Sequence, residues 1–242
     1  MSSRNVGKRR FRRDRWKNTL NDILLWVILL VFFIPALWII LTSIRLRSEV
    51  NAHPPVWIPT GFSFDSYKIL FGMPTPEGAF GLGGSIPVAD YARNSIVIAL
   101  VSTFFALVIG TLAGYVFSRF RFKGKNALFL GFMLARAIPG IALSLPLFIM
   151  YARTGLSDTV PGMIVAYVAL NIPFTAWLMD GFFRAIPKEL DEAARIDGCS
   201  AWTAFLRIDL PLALPGAAAA GIFAFLTSWN EFALANVITR TP

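Results

Sequence analysis

Few side chains in this chain are equipped for covalent or metal chemistry. One histidine and one cysteine occur among 242 residues, so no histidine relay, zinc cluster or disulfide framework can be assembled. His53 stands beside two prolines and reads as a solvated loop side chain; Cys199 reads as a reduced thiol in a cytoplasmic loop. The side chains that stand out are polar ones in apolar surroundings. Arg136 lies within a long apolar run, where a lone arginine costs roughly 2.5–3.5 kcal/mol on insertion scales, so it must face protein or water. It can line a path for an anionic or hydroxylated solute, or pair with an acidic group on another helix. Asn171 precedes Pro173, a spacing that either opens a kink whose freed carbonyls line a cavity or is satisfied by packing. Asn230 and Glu231 close another apolar run, as part of an external gate or as an interfacial hydrogen-bonded cluster. Asp180 reads as a topological charge near the cytoplasmic end of its run.

A second concentration of polar residues lies between Arg184 and Leu212, longer than the turn needed to reverse two neighbouring helices. Pro187 fits a first helical position, Lys188 to Asp197 are rich in helix formers, and Gly198 fits the left-handed position after a helix end. Ser200 can cap a second helix, Ala201 to Leu210, stopped near Pro211. On the first helix Leu190, Ala193, Ala194 and Asp197 share a face on which small alanines allow close approach. Lys188 with Glu192, and Asp191 with Arg195, are four apart and can support the helix. On the second, Trp202, Phe205 and Leu206 form an apolar stripe. Such a pair suits docking against a protein or lying at lipid headgroups. Four basic and five acidic side chains in 184–212 offer anionic lipid little attraction.

The elements that must carry these residues are membrane helices. Hydrophobic residues make up 56% of the chain and mean hydropathy is +0.61, which argues against a water-soluble enzyme. Residues 23–44 contain no charge and, at 1.5 Å per residue, reach about 33 Å, enough to cross a bilayer. A cleaved signal peptide is disfavoured by that length and by the lack of a small-residue cleavage site after it. Similar runs cover about 94–117, 127–150, 161–183 and 213–235, giving five spans. The net charge of +9 does not point to nucleic acid, because Arg4, Lys8, Arg9, Arg10, Arg12, Arg13, Arg15 and Lys17 all precede the first span. That bias, with Arg119, Arg121, Lys123 and Lys125 grouped in a second inside segment, places the N-terminus inside, with 1–22 as a basic cytoplasmic tail and 23–242 as a transmembrane domain. An external loop then spans 45–90, with a short helix near Asp65 to Phe71, acting as a contact for an external partner or an ordered cap. Gly110 and Gly114, four apart, allow a close helix crossing.

Glu192-Ala193-Ala194, three residues, Gly198, nine residues and then Ile208-Asp209-Leu210-Pro211 resemble the EAA loop of permease subunits in binding-protein-dependent ABC importers. The stretch Ile186 to Gly198, with Trp229-Asn230-Glu231-Phe232, is similar to the carbohydrate-uptake branch, of the maltose permease MalG type. Asn94-Ser95 and Ile138-Pro139-Gly140 are similar to it as well, and the resemblance extends over most of residues 20–239. It implies an all-α polytopic protein of the bacterial or archaeal cytoplasmic (inner) membrane, a type I ABC importer transmembrane-domain-like bundle with a sixth helix expected and absent from the five visible spans. It further implies that Glu189, Glu192, Ala193, Ala194, Asp197, Gly198, Ile208, Leu210 and Pro211 form a coupling loop seated in an ATP-hydrolysing subunit. The implied partners are a second homologous permease, two ABC ATPases, an extracellular or periplasmic solute-binding protein, a sugar or related solute, and the lipid bilayer.

No G-x-x-x-x-G-K-[ST] sequence is present, and Gly124-Lys125-Asn126 lacks both the upstream glycine and the hydroxyl residue. ATP and Mg are therefore expected in partner subunits, with no cofactor bound by this non-catalytic chain. Two other readings stay open: a secondary transporter using Arg136, Asp180 and Glu231 as ion-coupled charges, and a membrane docking or assembly protein without transport.

Overall fold

The computed structural model describes residues 4–50, 52–73 and 88–239, with side chains from residue 19 onward except at 47. The basic side chains of the N-terminal tail, the Pro- and Gly-rich stretches at 74–76 and 81–84, and the final three residues lie outside the described residues. Two compact units, Met1–Val88 and Ala89–Pro242, divide the chain.

The first unit contains α1 (Arg4–Ser43), α2 (Arg47–Val50) and α3 (Asp65–Leu70). Within α1 the stretch Thr19–Ser43 is long and apolar enough to cross a membrane, and Trp26, Phe32 and Ile39 on it are largely exposed. After α1 the chain folds back over that helix's end. Arg45 stacks on the Trp38 ring at 4.8 Å and donates to the Trp57 carbonyl at 2.6 Å. Glu49 accepts from the Thr60 amide at 3.0 Å and from the Thr60 hydroxyl. The hydroxyl is the main reason the Glu49 carboxyl lies below its usual range. Residues 45–50 and 52–63 thus form a cap over the end of α1, and α3 occupies the position expected for the short helix.

The second unit is a helical bundle: α4 (Val88–Arg119), α5 (Lys125–Ala137), α6 (Gly140–Thr154), α7 (Val160–Ala185), α8 (Lys188–Ile196), α9 (Ala201–Leu212), α10 (Leu214–Asn230) and α11 (Ala233–Ile238). Helices α4 and α7 are uninterrupted candidate spans, and α5 with α6, and α9 with α10, are bent pairs. Of the five anticipated spans, 127–150 is therefore interrupted and 213–235 is shortened. The run 127–150 breaks at Ile138-Pro139 and turns by 96°. Proline has no N–H to continue the ladder, and it drives the preceding residue to an extended conformation; Ile138 has ψ 121°. The run 213–235 ends early at Asn230, because Glu231 leaves the helix with ψ 109° and its Oε1 accepts from the Leu234 amide at 3.0 Å, capping α11 instead.

Helices α4 and α7 cross closely where α4 presents glycines. A Cβ at Gly110 would meet Thr175 Cβ at 2.6 Å, and one at Gly114 would meet Met179 Cβ at 2.7 Å. Adding side-chain volume there forces the helices apart, an overpacking cost of about 1–3 kcal/mol. Gly114→Val is expected to lower the thermal midpoint in detergent by several degrees. Gly131→Ala, where nothing lies within 4 Å of a Cβ, serves as the control and should not. A polar contact joins three helices deeper in the bundle: Asn171 Nδ2 donates to Ser228 Oγ at 3.0 Å, and Ser102 Oγ donates to the same oxygen at 3.2 Å.

Candidate functional site

The segment between α7 and α10 folds as the helix, tight turn, helix unit its composition anticipates. Gly198 takes φ +84° after α8, a conformation that costs L-residues about 1–2 kcal/mol. Ser200 Oγ accepts from the Thr203 amide at 3.1 Å and caps α9. Two details differ from expectation. Pro187 is the residue before α8 and not its first. Helix α9 also continues through Pro211 to Leu212, because a π turn at Phe205–Asp209 widens it just before the proline. Leu210 donates to Phe205 O five residues back, so the register has shifted before the missing proline N–H is reached.

Phe205 seats α9 in the bundle. Its ring centroid lies 4.6 Å from Tyr115 of α4 and 6.2 Å from Phe183 of α7, in a core completed by Met179, Ile186, Ala213 and Ala220. The anticipated stripe of Trp202, Phe205 and Leu206 is therefore split. Phe205 is buried, Trp202 stacks on it at 5.2 Å while remaining exposed, and Leu206 is exposed.

An ion-pair node fixes α8 beside it. Arg119, the last residue of α4, pairs through Nε with Asp191 Oδ2 of α8 at 2.9 Å and through Nη2 with Asp209 Oδ1 of α9 at 2.7 Å. Its Nη1 donates to Ile186 O at 3.1 Å. The Arg119 side chain is nearly buried, and Asp209 is completely so. Burial pushes the Asp191 carboxyl up to about 6, with hydrogen bonding to Asp209 and its negative charge adding, and Arg119 and Arg195 opposing. Counting charges for membrane orientation assigns Arg119 to topology and pairs Asp191 with Arg195. The structure pairs Asp191 with Arg119, a partner remote in sequence that helical spacing cannot show.

These contacts set which face of α8 is free. Ala194 is buried and Asp191 turns inward, whereas the other seven residues of α8 are exposed. Among these, Glu189, Glu192, Ala193 and Ile196 follow i, i+3, i+4, i+7 and form one stripe along the helix. The two alanines therefore face apart, and Ala193 alone belongs to the outward surface. Ile196 is 86% exposed, a large apolar side chain held in the open and missed by sequence reasoning, although its four-residue offset from Glu192 places it on that face. Asp197 and Gly198 follow it, both exposed; Ile208, Leu210 and Pro211 lie on α9, the first two half-buried and Pro211 exposed.

The remaining candidates lie away from this node. Arg136, in the last turn of α5, places its guanidinium 4.1 Å from the centre of the Phe174 ring, an attraction typical of arginine over an aromatic face. Asn171 is buried among α4, α7 and α10. Asn230 donates to Leu226 O at 2.8 Å, and the carbonyl of Glu231 accepts from the Tyr167 hydroxyl at 2.9 Å. A Cβ at Gly140 would come within 3.7 Å of Glu231 Oε2, so the break between α5 and α6 adjoins the break between α10 and α11. A cavity of about 360 Å³ at that end is lined by Asn94, Ser95, Asp158, Tyr167, Trp229 and Glu231 among others. Asp180 pairs with Arg184 one turn on, at 2.7 Å. Among the described residues no group of three or more His, Cys, Asp or Glu side chains could hold a metal ion.

A family model described as the binding-protein-dependent transport system inner membrane component matches residues 106–242. The chain belongs to this family. The permease is 31% identical over 206 residues to the diacetylchitobiose uptake system permease protein DasC of Streptomyces coelicolor, covering 85% of this chain and 70% of that one. To the trehalose transport system permease protein SugB of Mycobacterium tuberculosis it is 35% identical over 208 residues, covering 86% and 71%. It spans 65% of a second Streptomyces coelicolor relative, the diacetylchitobiose permease protein NgcG. Its fold matches a chain in the crystal structure of a bacterial ABC transporter that imports the acidic polysaccharide alginate, with a TM-score of 0.71 at 24% identity, over 95% of this chain and 76% of that one. The all-α membrane bundle expected from sequence is thus the fold of an ABC importer transmembrane domain.

Proposed function

We propose that this permease is the transmembrane subunit of an ATP-driven importer for a sugar or related solute, and that α8 and α9 transmit the ATPase cycle to the bundle. The observation that carries this reading is the double-sided α8. One side, Glu189, Glu192, Ala193 and Ile196, is open to a partner, and the other is tied through Asp191 to the end of α4. A partner pressing on the open side pushes directly on a long helix of the bundle. Asp197 and the Gly198 turn hold the second helix at the angle that presents Trp202 and Leu206 alongside. Ala194, Ile208 and Leu210 are proposed to form the inner seat, with the exposed Pro211 at its edge. ATP and Mg are bound in two separate ATPase subunits, and a second permease and a solute-binding protein complete the transporter. The sugar class is supported by the diacetylchitobiose and trehalose permeases among its relatives.

In this reading the basic N-terminal tail and the α8–α9 pair are cytoplasmic, and the cap over the end of α1 faces outward. The two adjoining helix breaks bring the ends of short helices to one place, where irregular backbone is tolerated only if it is enclosed by protein or lines a water-filled path. Arg136, Asn230 and Glu231 are proposed to border that path or its gate, with Asn171 bracing the helices behind it. An ion-coupled mechanism gains no support: Arg136 covers Phe174, Asp180 holds Arg184, and Glu231 caps α11.

The test is co-expression with an ATP-hydrolysing subunit, followed by purification and measurement of ATP-dependent uptake. Glu192→Lys, which reverses an exposed charge on the docking face, and Gly198→Asp, which strains the turn, are expected to insert normally and to lose most uptake. Undiminished uptake by both at wild-type expression would refute the coupling assignment.

A further inference from the structure

The node at Arg119 holds one cation against two carboxylates. Asp191 Oδ1 and Asp209 Oδ2 are both buried without a hydrogen-bond partner among the described residues, and the two carboxyl groups are drawn to neighbouring nitrogens of one guanidinium, Asp191 to Nε at 2.9 Å and Asp209 to Nη2 at 2.7 Å. Two carboxylates side by side in a dehydrated site repel unless a proton lies between them. The groups that face Asp191 are Tyr115 and Arg119 from α4, Asp209 from α9 and Arg195 from its own helix. Arg195 is exposed, so its charge is screened by solvent. Arg119 is thus the one buried cation among them, and its Nη2 is already committed to Asp209.

We propose that Arg119, together with a proton held by Asp191 beside Asp209, forms a latch that fixes the α8–α9 pair to the end of α4. While the proton is held, the pair and α4 move as one body; when it leaves, α8 loosens and α9 stays seated by Phe205. On the coupling reading above, which this extends, Arg119 and Asp191 are positioning residues for the transmission of force, acting through the helices they join.

The pH dependence has a definite sign. Asp191 has a carboxyl pKa raised from 3.8 to about 6. A raised acid favours the packed state below its unfolded value, and that advantage is lost as pH climbs to the folded value. The latch is therefore tightest in acid and loosens between about pH 4 and 6, reaching its loosest state above 6.

Hydrogen–deuterium exchange of the full chain in lipid nanodiscs, corrected for the intrinsic pH dependence of exchange, reads this directly. From pH 4.5 to 7.5 the α8 amides of the wild type are expected to lose at least about tenfold in protection, the equivalent of one pKa unit. Asp191→Asn, whose amide supplies a permanent uncharged donor, should hold its acid-state protection throughout, and α7 should stay constant in both proteins. Arg119→Lys, which keeps the charge and loses the fork, should lower α8 protection at every pH and retain the slope. A flat wild-type profile, or an Asp191→Asn profile that still follows the wild type, overturns the latch. The measurement requires neither ATPase nor solute. Failure of the latch would thus leave ATPase docking intact, and failure of docking would leave the exchange profile unchanged.

Discussion

Replacing Arg119 with methionine is expected to destabilise the second unit by about 3–5 kcal/mol, the range for removing one partner of a buried ion pair. The size of the effect comes from what remains behind. Asp209 is completely buried, Asp191 is partly buried, and both lose their cation at once; the Ile186 carbonyl loses its donor as well. Methionine fills much of the space and satisfies none of these groups. Unfolding of the purified protein in detergent micelles, followed by circular dichroism against temperature, measures the change. A triple variant, Arg119→Met with Asp191→Asn and Asp209→Asn, should recover most of the stability, because it removes the stranded charges and lets two facing amides bond to each other. If the single variant falls short by less than about 1 kcal/mol, as a solvent-exposed pair would, the node is not the anchor of α8.

The second large effect is expected at Ile196 and has the opposite character. Ile196→Asp should leave folding unchanged, since the side chain is 86% exposed and supports nothing within the chain. It should nevertheless weaken capture of the ATP-hydrolysing subunit about 100-fold. Placing a carboxylate where an apolar contact is made costs roughly 3 kcal/mol of desolvation and lost burial, and each 1.4 kcal/mol is tenfold in affinity. Titration of the purified ATPase onto the permease in nanodiscs gives the number. Wild-type affinity in the variant would show that this face of α8 is not the one that docks. Ala193→Asp, on the same face, should behave similarly. Ala194→Asp differs, because Ala194 is buried in the bundle and a carboxylate there should disrupt folding first.

Much of this arrangement was legible from residue order alone. Unbroken apolar length identified α1, α4 and α7, and the Pro187, Gly198 and Ser200 punctuation outlined the α8–turn–α9 unit. Gly110 and Gly114, four apart, indicated a close crossing, and the structure supplies Thr175 and Met179 as what they cross. What stayed hidden depended on distant partners. The run 127–150 is apolar, with Arg136 its one charge, and long enough for one span, so length and hydropathy read it as continuous, yet it bends by 96° at Pro139. Arg119 counted as an orientation charge because its two carboxylates come from other helices, Asp209 lying 90 residues away. Asp191 had a plausible neighbour four residues along, and a local partner is always easier to read than a remote one. The docking face suffered in the same way: shared helical phase groups residues without saying which side the bundle will cover. Only Asp191 on Arg119 and Ala194 in the interior show that the free side is the one bearing Ile196.

The nine residues of α8 carry an anchor on one side and a contact surface on the other, and that opposition makes the helix far less forgiving of altered length than of altered composition. Inserting or deleting a single residue between Asp191 and Ile196 would turn one end about 100° relative to the other. Either the carboxylate would swing away from its guanidinium or the isoleucine would rotate into the bundle. Many exchanges of side chain can therefore drift through this segment, while its residue count behaves like the tooth spacing of a gear, set by the parts it must engage on both sides at once.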